Sequence, residues 1–324
     1  MLFGDADKTF DEKPDVWMKL VRDKLYSMLR SPLKQEYTSE AFKWISSLCI
    51  SVGDLSWLCK DNQWTGEDVE IFTCIVRLSL NEIQITLPLI KRHLTYGDEI
   101  ESEEGKVLAR SANPEDYDSF GSHLIIIESA IRSLVADVDR DEDDDDDESD
   151  SERKSTLSDC MKPGQLKGLL GHLKDCVTEI CDYLELVNRS WSELNKETAE
   201  AAKVSAFEGS LRLICVWLIE YPTSFEDQCK NFLIDLMLKN LDSKQIRNDL
   251  LISALHSICT NNDELMKKLR ENKRHRIALQ GYLDYVQIKL RDDNNEFSKG
   301  SQSRRKQKMF KLRCGLVRDL LKTV

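Results

Sequence analysis

Five histidines and ten cysteines are the side chains of this 324-residue chain best suited to acid–base, nucleophilic or metal chemistry. Their spacing supports none of the three. His93, His123, His172, His256 and His275 lie far apart and form neither an HExxH pair nor a metal-spaced set with cysteine. Each reads as a surface or packed residue. Cys49, Cys59, Cys74, Cys160, Cys176, Cys181, Cys215, Cys229, Cys259 and Cys314 stand singly, with no CxxC among them. That usage fits a reduced cytosolic or nuclear compartment, because extracellular frameworks and zinc sites cluster their cysteines. There is no Gly-rich phosphate loop, no GxSxG elbow and no dinucleotide fingerprint. Catalytic residues, metal ligands and cofactors are therefore not expected.

Charge is the next candidate for chemistry, and it is concentrated by segment. The net charge is −12, and the run from Asp137 to Glu152 holds nearly all of it. That run lacks the Gly-centred alternation of a calcium-binding loop. It reads as a solvated, self-repelling and disordered insert over 137–162, or more sharply as a phosphorylatable tail at Ser149 and Ser151, since Ser149 has Glu152 three residues on. The opposite pole is the segment 299–313, where Lys299, Arg304, Arg305, Lys306, Lys308, Lys311 and Arg313 follow without an acid. It reads as a solvated loop before the last helix, or as a contact for an import receptor, an anionic lipid or RNA. Aromatic residues do not interleave with these cations, so a stacking platform for nucleic acid is not supported.

The elements that carry these groups are helical. Apolar residues recur at helical spacing, as in Trp17, Leu20, Val21, Leu25, Met28, and in Phe42, Ile45, Leu48, Cys49, Val52. Alternating strands are absent. The pattern predicts helices at about 14–40, 40–52, 67–95, 120–137, 165–189, 198–220, 224–241, 244–260, 263–290 and 306–323, some broken internally. Pro88 should kink or split the third. Leu211 to Ile219 is apolar almost all round, as a helix buried between neighbours should be. It stops before Pro222, and Thr223 with Glu226 offers a capping box for the next helix. Residues 97–118 read as a long polar loop. Trp17, Trp44, Trp57, Trp191 and Trp217, at helical spacing with aliphatics, read as core anchors.

With 41% hydrophobic residues the chain can bury a real core. The N-terminus has no basic region or long apolar run, so no signal peptide is expected, and no apolar stretch is long enough to span a membrane. The expectation is a soluble all-α protein, an armadillo/HEAT-like helical solenoid with repeats over 1–136, the acidic insert over 137–162, and further repeats over 163–324.

Several segments resemble the neurochondrin family. They are Lys24-Leu25-Tyr26-Ser27-Met28-Leu29, Ala41 to Trp57, Phe72 to Leu78 leading into Glu82 to Leu87, and Ser210-Leu211-Arg212-Leu213-Ile214-Cys215-Val216-Trp217-Leu218-Ile219-Glu220, with fainter similarity over Arg247 to Arg276. The resemblance covers the middle portion of that longer family, so the chain is expected to be a fragment or a shortened form. The first ten residues hold no cysteine matching the family's lipid-attached ones, and the acidic insert has no clear equivalent. The resemblance implies an armadillo-like scaffold without enzymatic activity, acting in neurite outgrowth and in restraint of calcium/calmodulin-dependent kinase II phosphorylation. Its implied partners are that signalling kinase, receptor tails and trafficking factors; its implied location is the cytoplasm of neuronal cell bodies and projections, with peripheral membrane association left open. The alternative from the charged segments is a nucleus-associated HEAT-type assembly factor contacting nucleic acid or basic proteins.

Overall fold

The computed structural model describes residues 14–30, 35–59, 63–96, 112–143, 156–190, 201–241, 248–296 and 301–322, and within them the side chains outside 14–19, 30, 35–37, 96, 136–143, 248, 289–296 and 301–310. These residues are all-α, with no β-strand among them. The helices are α1 (Pro14–Arg30), α2 (Gln35–Val52), α3 (Gly66–Tyr96), α4 (Pro114–Asp143), α5 (Leu157–Cys160), α6 (Pro163–Ser190) and α7 (Ala201–Glu220), then α8 (Glu226–Gln228), α9 (Ile234–Lys239), α10 (Asn248–Thr260), α11 (Asp263–Glu271), α12 (Lys273–Glu296) and α13 (Ser301–Leu321). A 3-10 turn, Ser56–Leu58, follows α2, and a π-helical turn, Cys229–Leu233, joins α8 to α9. The chain divides into two compact units, Met1–Gln84 with Ser122–Leu173 and Ile85–Gly121 with Lys174–Val324. The divisions fall inside α3, α4 and α6.

In the first unit α1 packs on α2. Ala41, Phe42, Ile45 and Cys49 form the buried stripe of α2, facing a core that also holds Trp57, Trp64, Phe72 and Ile75. Gly53, at φ 104, ends α2 with its N–H on the Cys49 carbonyl at 2.8 Å, a conformation that glycine adopts without a Cβ penalty. Thr65 and Asp68 cap α3 reciprocally, the Thr65 N–H donating to the Asp68 carboxylate at 3.1 Å and the Asp68 N–H to Thr65 Oγ1 at 3.3 Å. Pro88 does not split α3, which runs on to Tyr96. Pro88 and Gln84, one turn earlier, are both exposed, so water can reach the carbonyl left without an amide partner.

Parts of the polar stretch 97–118 and of the acidic insert 137–162 are helical: 114–118 of the first, and 137–143 and 157–160 of the second. Asn113 and Asp116 exchange 2.9 Å side-chain–backbone bonds ahead of Pro114, which starts α4 four residues before the polar stretch was expected to end. At its other end α4 continues to Asp143, into the acidic run. The insert also ends early: Thr156 and Asp159 form a capping box, Leu157 and Met161 are buried, and the Cys160 thiol donates to the Trp64 carbonyl at 3.1 Å. Apolar burial and a satisfied turn outweigh the charge that led 137–162 to be read as unstructured throughout. Residues 144–155, with Ser149 and Ser151, lie outside the described residues.

In the second unit α7 is buried on nearly every side from Leu211 to Leu218 and packs on α10, which also contacts α9, α11 and α13. Trp217 is buried and its indole N–H donates to Ser224 Oγ at 3.3 Å. The next helix is not opened by Thr223: Phe225, at φ 61, precedes it with no side-chain cap. The stretch expected as one helix over 263–290 is two, because Asn272 leaves the helical region at ψ 112 and its side-chain Oδ1 accepts from the Arg274 N–H at 2.9 Å, opening α12. The stretch 14–40 is described as α1 to Arg30 and as α2 from Gln35, and residues 31–34 lie outside the described residues. Arg270 reaches the last carbonyls of α13, Asp319 at 3.1 Å and Leu320 at 3.4 Å, and a cation there suits the helix dipole.

Candidate functional site

All ten cysteines are free, and seven are buried. Burial pushes the thiol of Cys49 up to about 11 and those of Cys176, Cys181, Cys229 and Cys259 up to about 12. A thiol that stays protonated at neutral pH is neither a nucleophile nor a metal ligand. Among the described residues no three His, Cys, Asp or Glu side chains gather as a metal site requires.

His93, His123 and His275 are buried, His256 is half-buried and His172 is exposed. His123 lies against the Phe42 ring at 4.7 Å, and burial holds it down at about 4, so it is neutral at physiological pH. His93 Nδ1 meets the Tyr117 hydroxyl at 3.3 Å. The arrangement nearest to acid–base machinery is His275, whose Nε2 touches Asp235 Oδ1 and lies 3.2 Å from Asn272 Nδ2. Its other ring nitrogen, Nδ1, is buried with no partner. Among the described residues no hydroxyl or thiol lies within hydrogen-bond reach of that nitrogen.

The basic positions separate. Arg304, Arg305, Lys306 and Lys308 lie on α13, which begins at Ser301 rather than after a basic loop; their side chains are outside those described. Lys311 is exposed. Arg313 turns inward to an ion pair with Asp249 on α10 at 3.3 Å, with Tyr282 beside it. Sequence reasoning missed this because Asp249 is 64 positions away in the chain.

Of the tryptophans expected in the core, Trp57 and Trp217 are buried, whereas Trp44 is 53% exposed. The face of α2 that carries Trp44 also carries Glu40, Ser47 and Ser51, all exposed, so the ring lies over a polar side. The side chain of Trp17 and the whole of Trp191 lie outside the described residues. Large apolar groups also left exposed are Leu20, Ile50 and Val52 in the first unit, and Ile85, Tyr221, Leu312 and, grouped on α12, Ile277, Tyr285 and Ile288 in the second. The α12 set went unnoticed in the sequence because Leu279, Tyr282, Leu283 and Val286 interleave with it. Together they read as general hydrophobicity rather than as two stripes.

No helix among the described residues is long and apolar enough to cross a membrane. No protein-family model, curated protein or solved structure matches the chain.

Proposed function

We propose that this is a non-enzymatic scaffold of the neurochondrin type, an armadillo/HEAT-like stack of helix pairs that binds other proteins in the cytoplasm. The observation that carries binding is exposure. Trp44, Ile277, Tyr285 and Ile288 are each more than half exposed on helices whose opposite faces are already packed, and exposed aromatic and branched side chains on rigid helices serve as contact anchors. The packing of chain neighbours, α1 on α2, α10 on α11, α11 on α12 and α12 on α13, supports the stacked-pair reading. The neurochondrin component rests on the sequence segments quoted above, with Trp217 at the end of the most recognisable one. It brings the expectation that the protein restrains calcium/calmodulin-dependent kinase II phosphorylation and engages receptor tails and trafficking factors in neurons.

Two experiments divide the proposal. Purified chain titrated into a reaction containing that kinase, calcium and calmodulin should lower kinase phosphorylation with increasing dose; a flat response at molar excess removes the neurochondrin component. Affinity capture from neuronal lysate should recover protein partners that persist from low to moderate salt. Partners lost steeply with salt, and replaced by nucleic acid, would favour the nucleus-associated alternative instead.

A further inference from the structure

The α12 helix is apolar on two opposite sides. Leu279, Tyr282, Leu283 and Val286 are buried. On the outer side Ile277, Tyr285 and Ile288 are 61, 52 and 56% exposed, and Gly281 lies between them with open space where a Cβ would be. Positions 277, 281, 285 and 288 are spaced by four, four and three, the interval that keeps residues on one face of a helix. Arg274, exposed and three residues before Ile277, extends the same seam, and exposed Lys273 and Arg276 flank it. The first turn of α12 contains no acidic residue to offset these cations. They face the positive end of the helix dipole; the Asp235 carboxylate meets that end at His275, on the buried side, and the outer seam carries no acid of the first turn, so an anion arriving there would be favoured. Further along, exposed Asp284 accepts from Gln280 Nε2 at 2.8 Å on the edge of the seam.

We infer that this outer face of α12 docks an acidic amphipathic helix from a partner protein, its carboxylates set against Arg274 and its apolar residues against Ile277, Tyr285 and Ile288 across the notch at Gly281. The proposal rests on the scaffold reading and names the partner class for one surface of it. Charge selects the occupant. A second copy laid antiparallel about Gly281 brings Arg274 over Ile288, and a parallel copy sets Arg274 against Arg274, so neither supplies the missing anion. An anionic lipid surface suits the cations but would repel Asp284 and strip its water. A partner helix satisfies both, with acids at one end and a neutral or basic residue opposite Asp284. Glycine at the centre lets the two backbones approach closely, as helix-in-groove recognition requires.

The test is fluorescence anisotropy on the full chain, using two labelled helical peptides of about 18 residues, five turns each. Both carry Leu at i, i+3, i+7 and i+11, with three Glu at the amino-terminal end of one and at the carboxy-terminal end of the other. One of them should bind with Kd below about 50 µM. Ile277→Ser with Tyr285→Ser should weaken it about tenfold or more at unchanged far-UV circular dichroism and melting, since both groups are exposed in the free protein. Arg274→Glu should weaken binding about fivefold, and a peptide with Lys in place of Glu should recover that loss on the Arg274→Glu protein alone. The inference is overturned if neither peptide binds, if binding ignores Ile277→Ser and Tyr285→Ser, or if no charge-swap recovery occurs. It is also overturned if those substitutions abolish self-association in sedimentation or binding to phosphatidylserine vesicles instead. Lysate partners captured equally by wild type and by Tyr285→Ser would overturn the α12 site while leaving the scaffold reading intact; no captured partner at all would overturn both.

Discussion

Trp217 and Trp44 share a residue type and a helical spacing with aliphatics, yet one is core and the other surface. Around Trp217 every turn of α7 is apolar, so the ring is buried whichever way the helix is rotated. Around Trp44 the neighbours one turn away are Glu40 and Ser47, and they decide the side. Trp217→Ala should cost about 3 to 5 kcal/mol through lost burial and a residual cavity, whereas Trp44→Ala should change stability by about 0.5 kcal/mol or less; denaturant unfolding of the two variants measures the contrast. His123 makes a pH prediction of definite sign. Its folded value, held at about 4 by burial, lies below the 6.5 of an exposed histidine. Between those values the unfolded chain binds the extra proton. Its contribution is therefore intact above about pH 6.5 and is lost as the pH falls, reaching about 3 kcal/mol of destabilisation near pH 4. Comparing unfolding free energy against pH for wild type and His123→Phe isolates this contribution, and identical slopes over that window would refute it.

At the scale of elements, periodicity was enough to find nearly every long helix, because each has one buried stripe or, in α7, is buried all round. It failed where local chemistry cuts across the period. Asn272 breaks a continuous apolar pattern by accepting the Arg274 N–H, and Asn113 with Asp116 starts α4 inside a stretch whose composition is polar. Both breaks carry an N-cap residue in the sequence, and in the second Pro114 at the first helical position reinforces it. The candidate surface was harder to see than the fold. Which of two apolar stripes on α12 remains open depends on packing from distant parts of the chain, and so does the capture of Arg313 by Asp249. The acidic insert yields a paired prediction. Removing 144–155 should leave cooperative unfolding and melting temperature little changed, since a run of such polar and acidic composition has little apolar surface to bury. Removing 156–161 as well deletes Leu157, Met161 and the Thr156–Asp159 cap and should cost about 3 kcal/mol or more. Equal melting of the two deletions by calorimetry would mean that α5 contributes no stability.

For the whole molecule, the acidic run accounts for nearly all of the net charge, and the remainder is close to neutral. Little long-range repulsion is then available from the rest of the surface to oppose contact between exposed apolar groups. Leu20 at the outer face of α1, with Trp44 and Ile50 on α2, should make the native chain bind a hydrophobic dye or self-associate. Leu20→Ser with Trp44→Ser should reduce the signal, and a dye-silent monomer at high protein concentration in sedimentation would exclude the effect.

The π-helical turn at Cys229–Leu233 has a consequence for how this sequence can change over evolutionary time. Such a turn holds one residue more than an α-helix over the same rise, so it marks a tolerated single-residue insertion. The buried Phe232 and Leu233 within it, and Leu236 and Met237 beyond, are in phase with the core only while that extra residue is present. Loss of the exposed Asn231 would straighten the helix and rotate everything after it by about 100° relative to everything before. Length at this point is therefore constrained more tightly than identity: residues of 229–233 can be exchanged for others of like size, but relatives sharing this core should not differ here by a one-residue gap.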